Sequence, residues 1–491
     1  MKMRFMKKNV KFLLLGVVMA VTSCSFTTKE FDDPDRDKVL LDLITYVLEK
    51  GHYDPADMDD DFSEGVYTDF INALDPLKRY FIASDIEEFS VYRTLIDDQI
   101  KTKDLSFFNL VYDRFMKRME EGEKRYVTVL ETPFDYSIDE TINVDYDNLE
   151  YVATEKEMKE RWRQQLKFST LSNYYDLIEE KETSAKNQKE ASEKGEPFEP
   201  SENANLTLSE IEEKSRTQTR TSLEEYYEFT DDLERKDYFA TFLTTIVEEF
   251  DPHTNYFAPP DRDRFDLRMS GKLEGIGARL QKKNDYIKVV DVISGGPAWR
   301  GEHIEVGDLI TKVRQEDENE SVSVVGMRVD DAVKLIKGPK GTKVILTIKG
   351  VDGTSREETI TRDVVELEET YAKSAVIEKT DKKFGLINLP AFYFDMENYK
   401  ERNSASDVKK EVIRLKEEGV EGLVLDLRNN GGGSLRTAVD IAGLFIKEGP
   451  VVQVSTSNGK EVLEDKDDEN DFAQIGELIP NQVRDDNGVA P

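Results

Sequence analysis

The 491-residue sequence predicts a multidomain α+β chain: a helical N-terminal domain, a small β domain, and part of an α/β core. Three observations predict it. Apolar residues recur at helical spacing through most of residues 25–265. From Gly271 onward, short β-rich runs alternate with glycine turns. Near the C-terminus, GLVLDLRNNGGGSL (Gly422 to Leu435) reads as a buried strand, a glycine turn and the start of a helix.

The elements follow in order. Lys2, Arg4, Lys7, Lys8 and Lys11 form a basic leader, and Phe12 to Val21 is an apolar run too short to span a bilayer. It runs into Val21-Thr22-Ser23-Cys24, where Cys24 is the only cysteine. This resembles a bacterial lipobox, with residues 1–23 as signal peptide and Cys24 as the lipidated residue. The alternative is an ordinary secretory signal with a chance cysteine. One cysteine excludes an internal disulfide. The resemblance implies a lipid-anchored protein on the periplasmic side of a bacterial cell envelope, with the body held at the membrane surface by its acyl chain.

Residues 24–265 are expected to form the helical domain. Val39, Leu40, Leu43, Ile44, Val47 and Leu48 keep helical spacing, as do Leu105, Phe108, Leu110, Val111 and Phe115, and then Met158, Trp162 and Leu166. Between residues 179 and 205, Lys, Glu, Ser and Asn dominate and the period is lost, which reads as a charged linker or an irregular helix end. A weak repeat pairs LDPLKRYFIASD (Leu74 to Asp85) with FDPHTNYFAPPD (Phe250 to Asp261). In each copy a helix is expected to stop at Asp-Pro, with the Tyr-Phe pair packing into core.

Residues 268–362 carry the β domain. Its runs are Ile276 to Leu280, Tyr286 to Ile293, Asp308 to Val313 and Lys343 to Ile348, with one helix over Arg328 to Ile336. Leu273-Glu274-Gly275-Ile276-Gly277, GGPAWR at 295–300, VGDLI at 306–310 and IKGPKGTKV at 336–344 occur in the order of a PDZ domain, which this region resembles. The resemblance implies a peptide-binding groove. Gly275, Ile276 and Gly277 would offer backbone N–H groups to a C-terminal carboxylate. Ala278 and Leu280 would lie on the strand that pairs with the peptide. Val329, Val333 and Ile336 would line the pocket for its last side chain. Glu274 beside that loop is electrostatically unhelpful.

A further α/β region is expected over residues 363–464, with strands Phe384 to Leu389 and Leu423 to Leu427 and a helix over Ala405 to Glu418. Its glycine turn, Gly431-Gly432-Gly433, could receive a phosphate, receive the oxyanion of an acyl-transfer intermediate, or serve as a structural turn. Neither Gly-x-Gly-x-x-Gly nor a Gly-Lys-Ser/Thr ending is present. Ser434 reads as the N-cap of the next helix. His52, His253 and His303 are scattered without ligand spacing, so no metal is expected. No cofactor is expected either. A net charge of -34 argues against a nucleic-acid partner.

The signal, the helical segment with DPHTNYF, the PDZ-like region, ITRDVVELEE at 360–369, FGLINLPAFY at 384–393 and VLDLRNNGGGS together resemble the tail-specific proteases, or carboxy-terminal processing peptidases. The match covers about residues 35–453. It implies a PDZ-containing serine endopeptidase that captures the C-termini of protein substrates, and makes residues 363–464 a partial serine-protease core. Gly432, or its neighbours Gly431 and Gly433, would donate to the oxyanion, while Asp426 and Arg428 hold the turn. That family uses a Ser–Lys dyad, the serine in a Ser-Ala-Ser-like strand and the lysine in a Gly-Lys-Gly-like turn. Neither segment occurs in this sequence, and Ser455 and Ser457 lack that setting. Residues 465–491 are off-pattern and expected to be disordered. The expectation is a chain that binds C-termini without cleaving them. The rival reading is a non-catalytic PDZ adaptor or pseudoprotease that delivers C-termini to another protein.

Overall fold

The computed structural model describes residues 33–465, apart from Thr380 and Glu397. The signal, Cys24 and the tail after Asp465 lie outside the described residues. The chain divides into two compact units, one ending at Tyr256 and the other starting at Phe257.

The first unit is helical: α1 (Asp33–Gly51), α2 (Asp60–Leu74), α3 (Ala83–Phe89), α4 (Ile96–Thr102), α5 (Ser106–Val129), α6 (Glu155–Lys194), α7 (Leu208–Asp231) and α8 (Arg235–Glu248). Thr154 with Glu157 and Thr207 with Glu210 form capping boxes that fix where α6 and α7 begin. Phe70, Phe81, Phe89, Phe107, Phe108 and Trp162 fill a single aromatic core. The first Asp-Pro stop behaves as expected. Its Asp75 carboxylate accepts the N–H groups of Arg79, Tyr80 and Phe81, and that tight loop buries Tyr80 and Phe81. The second copy departs from the expectation. Asp251 accepts only the His253 N–H in the same way, Tyr256 is half-buried and Phe257 is exposed. The chain leaves the helical core between those two residues.

The charged linker or irregular helix end expected over residues 179–205 is corrected for 179–194 only, while 196–205 lie outside any helix or strand. α6 continues unbroken to Lys194 and ends at Gly195 with φ 69°. Its period vanishes because this stretch has one neighbour, α7, rather than a core. Leu177 and Ser184 are buried there, Lys181 donates to the Leu206 carbonyl, and Asn203 donates to Glu180 at 2.8 Å. A helix exposed on most sides can be polar and still form, given good helix formers and a side-by-side partner.

The second unit opens with α9 (Pro259–Ser270), whose prolines occupy the first helical turn, where their missing N–H costs nothing. This helix was expected to close the helical domain. It instead joins the second unit, where the Met269 carbonyl accepts the Phe394 N–H at 2.7 Å. After β1 (Lys272–Gly275) come β2 (Ala278–Lys283), β3 (Tyr286–Val292), α10 (Pro297–Arg300), β4 (Leu309–Gln315), β5 (Val322–Ser323), α11 (Val329–Ile336), β6 (Lys343–Lys349) and β7 (Ser355–Thr361). These strands form a six-stranded sheet without β1, in the order β2-β3-β4-β6-β7, with β5 on β4. β6 alternates as a half-buried strand should, with Val344, Leu346 and Ile348 inside. β1 pairs instead with β8 (Asp363–Glu366), setting Gly275 opposite Asp363.

The remaining elements are β9 (Lys373–Lys379), β10 (Lys382–Asn388), α12 (Ser404–Glu417), β11 (Gly422–Asp426), α13 (Leu435–Gly443), β12 (Gly449–Thr456) and β13 (Gly459–Asp465). β10 and β11 are parallel, in register from Phe384 opposite Gly422 to Asn388 opposite Asp426, with α12 as the crossover. Ile387, Leu389, Tyr393, Val408, Val412 and Leu415 form the core of this α/β layer. β9 adds antiparallel to β10, and β12 with β13 is a separate hairpin.

Candidate functional site

Two pieces of chemistry lie in the second unit. The first is the groove beside β2. β2 is the terminal strand of its sheet, and α11 packs along it. An edge strand has a row of backbone donors and acceptors without a partner strand, which an extended peptide can complete. Ala278 and Leu280 on β2, and Val329 and Val333 on α11, are half-buried and keep exposed apolar surface. Ile276 and Ile336 do not: each is only 3% exposed and belongs to the domain core beneath the groove.

The loop entering β2 is built so that its carbonyls face the domain. The Ile276 carbonyl accepts from Ala298 N–H at 2.8 Å and that of Gly277 from Ile293 N–H at 2.9 Å. The Ile276 and Gly277 N–H groups donate to no described residue. Gly277 has φ 79°, and a Cβ there would stand 3.1 Å from Gly296 Cα, so glycine is required on two counts. The charge of Glu274 is partly absorbed, since its carboxylate accepts the Lys340 N–H at 3.2 Å. Asp363, opposite Gly275, is held well below the usual carboxylate range by Lys340, 2.9 Å away, and Arg300, 2.7 Å away.

The second piece is the glycine turn. Arg428 folds back on Asp426, its guanidinium 2.6 Å from Oδ2 and its N–H 3.0 Å from Oδ1. Those bonds hold the Asp426 carboxyl near a pKa of about 2. Asn430 then anchors the loop at both ends of its side chain. Its Nδ2 donates to the Leu389 carbonyl at 2.9 Å, and its Oδ1 accepts the Gly432 N–H at 2.7 Å. Gly432 is therefore already engaged. The N–H groups of Gly431 and Gly433 donate to no described residue, so they are the turn's open donors.

The backbone of Phe392 clamps the far side of the turn. Phe392 N–H donates to the Gly432 carbonyl at 2.9 Å, and Ser434 N–H donates to the Phe392 carbonyl at 2.8 Å. Ser434 caps α13 by accepting the Thr437 N–H at 3.3 Å, which accounts for its hydroxyl without a nucleophilic role. Phe392 is itself held through its neighbour. The buried Tyr393 hydroxyl donates to Asp407 at 2.7 Å, and Arg402 Nε donates to the same oxygen at 2.6 Å. Burial pushes the Asp407 carboxyl up, but Arg402 and Tyr393 outweigh it and leave it below the ordinary range. Asn430 and Phe392 carry this geometry, and neither stood out in the sequence as a site residue. The doubled asparagine before the glycines was the available signal for Asn430.

A cleft of about 500 Å³ opens beside β1 and β8. Leu273 and Glu274 of the carboxylate-type loop are on one wall, and Asp395 and Met396, just beyond Phe392, are on the other. Among the described residues, no three His, Cys, Asp or Glu side chains are placed to hold a metal ion. No helix among them is long and apolar enough to cross a membrane.

Known proteins match this layout segment by segment. Residues 44–260 match the family model for the tail specific protease N-terminal domain. Residues 265–349 match the PDZ domain, and 383–484 match peptidase family S41. A helical domain, a PDZ domain and an S41 segment in that order are the layout of one class of protein, the PDZ-bearing members of peptidase family S41. The chain belongs to the family of tail-specific, or carboxy-terminal processing, proteases. It is 32% identical over 423 residues to the tail-specific protease of Haemophilus influenzae, covering 86% of this chain and 55% of that protein. It is 33% identical over 241 residues to the carboxy-terminal processing protease CtpA of Bacillus subtilis, covering 49% of this chain and 47% of that protein. The chain thus spans about half the length of these relatives. Among solved structures, a PDZ domain of a carboxy-terminal protease from Vibrio cholerae in complex with a peptide aligns at 48% identity over 20% of this chain and 99% of its own, with a TM-score of 0.19. The photosystem II D1 C-terminal processing protease aligns at 23% identity over 48% of this chain and 61% of its own, with a TM-score of 0.22.

Proposed function

We propose that this chain captures the free C-termini of protein substrates in the groove between β2 and α11, as the recognition half of an envelope serine endopeptidase. The observation that carries the reading is the open edge of β2 beside a loop with two undonated N–H groups. A peptide laid antiparallel on β2 completes the sheet, places its carboxylate at Ile276 and Gly277, and rests its last side chain against Leu280, Val329 and Val333. A cleft lined by Glu274, two residues before Ile276, and by Asp395, three residues past Phe392, supports passage of the substrate toward the glycine turn. There, Gly431 and Gly433 are the donors suited to an oxyanion. In this reading Cys24 carries the acyl anchor that holds the protein on the periplasmic side of the envelope. The 491-residue polypeptide binds without cutting, because it contains no serine or lysine in the dyad settings.

The test compares one fluorescent peptide with an apolar C-terminus, bearing either a free carboxylate or an amide. Hydrogen bonds to a charged group contribute about 1.5–3 kcal/mol, so the amide should bind roughly 10–150-fold more weakly. Gly277→Val should remove binding of both. Equal affinity for acid and amide would sink the capture reading. Peptide fragments in the mass spectrum after incubation would sink the claim that this polypeptide does not cleave. If fragments never form even with the family's Ser–Lys segment joined on, the adaptor reading takes its place.

A further inference from the structure

In the helical unit, Arg79 lies in the loop after α2. Its guanidinium is 4.7 Å from the ring centroid of Trp162 on α6, 5.4 Å from that of Tyr80 and 5.9 Å from that of Tyr226 on α7. Among the described residues, no carboxylate or carbonyl oxygen accepts from that guanidinium. Two buried hydroxyls lie beside it. Tyr80 is 2% and Tyr227 5% exposed, and neither hydroxyl has a hydrogen-bond partner among the described residues. The Tyr80 hydroxyl stands near those of Tyr226 and Tyr227 without the alignment of a bond to either. Burial pushes the Tyr226 and Tyr227 phenols up, Tyr80 adds to this, and the nearby Arg79 charge opposes it. Gly122, inside α5, makes the room. A Cβ there would stand 2.6 Å from the Tyr227 hydroxyl and 2.8 Å from the Tyr80 ring.

A hydroxyl left unbonded in a dry site costs about 1–3 kcal/mol. A water molecule can bridge hydroxyls, but it carries no charge to set against the guanidinium. An oxyanion does both, since its oxygens accept from the guanidinium fork and from hydroxyls together. The neighbouring acids do not fill that role. The Asp75 carboxylate, whose charge Arg79 feels, already accepts three backbone N–H groups. Asp231 and Asp237 bear on Tyr238, another neighbour of Tyr80, and neither pairs with Arg79. We infer that Arg79 and the hydroxyls of Tyr80, Tyr226 and Tyr227 bind a small oxyanion, a carboxylate or a phosphate. It enters between Arg79 and Tyr226, which are only half-buried. The site lies wholly in the helical unit and is independent of the capture of C-termini at β2.

Trp162 reads the site, because its indole N–H donates to the Arg79 carbonyl at 2.7 Å. The only other tryptophan, Trp299, is in the second unit, and Trp299→Phe clears its background. Sodium phosphate or sodium acetate is titrated into this variant against sodium chloride at constant ionic strength. Emission from Trp162 should change saturably, half complete at about 1 mM or below. The unfolding temperature should rise in parallel, as binding to the folded state alone requires. A saturable response to either anion supports the site, and the one that acts at lower concentration says whether the ligand is a carboxylate or a phosphate. Arg79→Gln should abolish the response. Arg79→Lys keeps the charge without the fork and should weaken binding roughly 10-fold or more, and Tyr226→Phe should weaken it by a smaller factor. The unfolding temperature without added anion shows that each variant is folded, and the two conservative changes decide the matter if Arg79→Gln is not. A response that chloride reproduces overturns the inference. So does one unaltered by both Arg79→Lys and Tyr226→Phe. No response to either anion also overturns it and leaves the hydroxyls to buried water.

Discussion

Replacing Asp85 by alanine should destabilise the helical unit by about 3–5 kcal/mol, the usual consequence of removing one partner from a buried ion pair. Asp85 is fully buried at the start of α3. Its Oδ2 accepts from the Ile82 N–H at 3.0 Å and from Arg118 Nε at 2.8 Å. Its Oδ1 accepts from Arg118 Nη2 at 3.0 Å and from Arg114. Arg118 continues to Glu121 at 2.7 Å and Glu155 at 3.2 Å, so one carboxylate links α3, α5 and the start of α6. Alanine removes the buried acceptor of both guanidinium groups, leaving Arg118 with Glu121 and Glu155 and Arg114 with Glu88 at the rim, and Asn does nearly the same while keeping the shape. The readout is in place. Trp162 is buried in this unit with its indole N–H on the Arg79 carbonyl at 2.7 Å, so its fluorescence follows unfolding of the helical core.

The pH dependence of Asp85→Asn separates charge from shape. Burial alone would raise the Asp85 carboxyl, but the bonds from Arg118, Ile82 and Arg114 overcome that and leave it below the ordinary value. A carboxyl with a depressed folded pKa contributes stability above its unfolded pKa, near 4, and loses it as pH falls through the folded one. The gap between the wild type and Asp85→Asn should therefore be widest near neutrality and close below about pH 4. A gap constant down to pH 2 would show that packing, not charge, carries the effect.

Asp85 is also where the limits of reading the sequence show. It closes the first copy of the DP…YF…D repeat, and Asp261 closes the second. The spacing made them look equivalent. In the structure, Asp85 is caged by two arginines from a distant helix, while Asp261 is partly exposed and bonds Arg264 within its own helix. Local pattern was enough to place the helix stop at Asp75, because a carboxylate capping its own following loop is a local event. The partners at 114 and 118 are not local, so nothing in the repeat could separate the copies. The same division holds elsewhere. β6 and β10 were legible because buried strands carry their own apolar signature. β9 and β13 were missed, because charged edge strands take their structure from a neighbour. The charged half of α6 was misread for the same reason. The glycine motifs placed a loop at Gly275–Gly277 before β2 and a turn at Gly431–Gly433 before α13, which is where the structure has them. They could not show that Asn430 occupies the Gly432 donor, because that depends on the direction of one side-chain amide.

The glycine turn offers a graded prediction: alanine should be harmless at 431, costly at 432 and disruptive at 433. A Cβ on Gly431 meets nothing within 4 Å, and its φ is not in the left-handed region. Gly432 has open space as well but sits at φ 101°, a conformation that costs a non-glycine residue about 1–3 kcal/mol. Gly433 adds a collision to the strain. Its φ is 141°, and a Cβ would stand 2.3 Å from the Phe392 carbonyl oxygen and 2.8 Å from its carbon. That obstacle is main chain, fixed by Tyr393 on Asp407, and cannot swing aside as a flexible side chain would. Relieving it requires parting the turn from Phe392, which gives up the Phe392–Gly432 and Ser434–Phe392 hydrogen bonds at about 1 kcal/mol each. The combined cost of about 3 kcal/mol raises the opening equilibrium by roughly two orders of magnitude. Hydrogen exchange at the Ser434 amide reads it directly: about 100-fold faster in Gly433→Ala, modestly faster in Gly432→Ala, unchanged in Gly431→Ala. Equal exchange in all three variants would mean that Phe392 does not clamp the turn. The ranking also decides which glycine can be probed as a donor. Only at Gly431 does a side chain fit without moving the backbone. A change there that abolished cleavage in a dyad-bearing form of this protein, with Ser434 exchange unaltered, would place that N–H in the oxyanion hole.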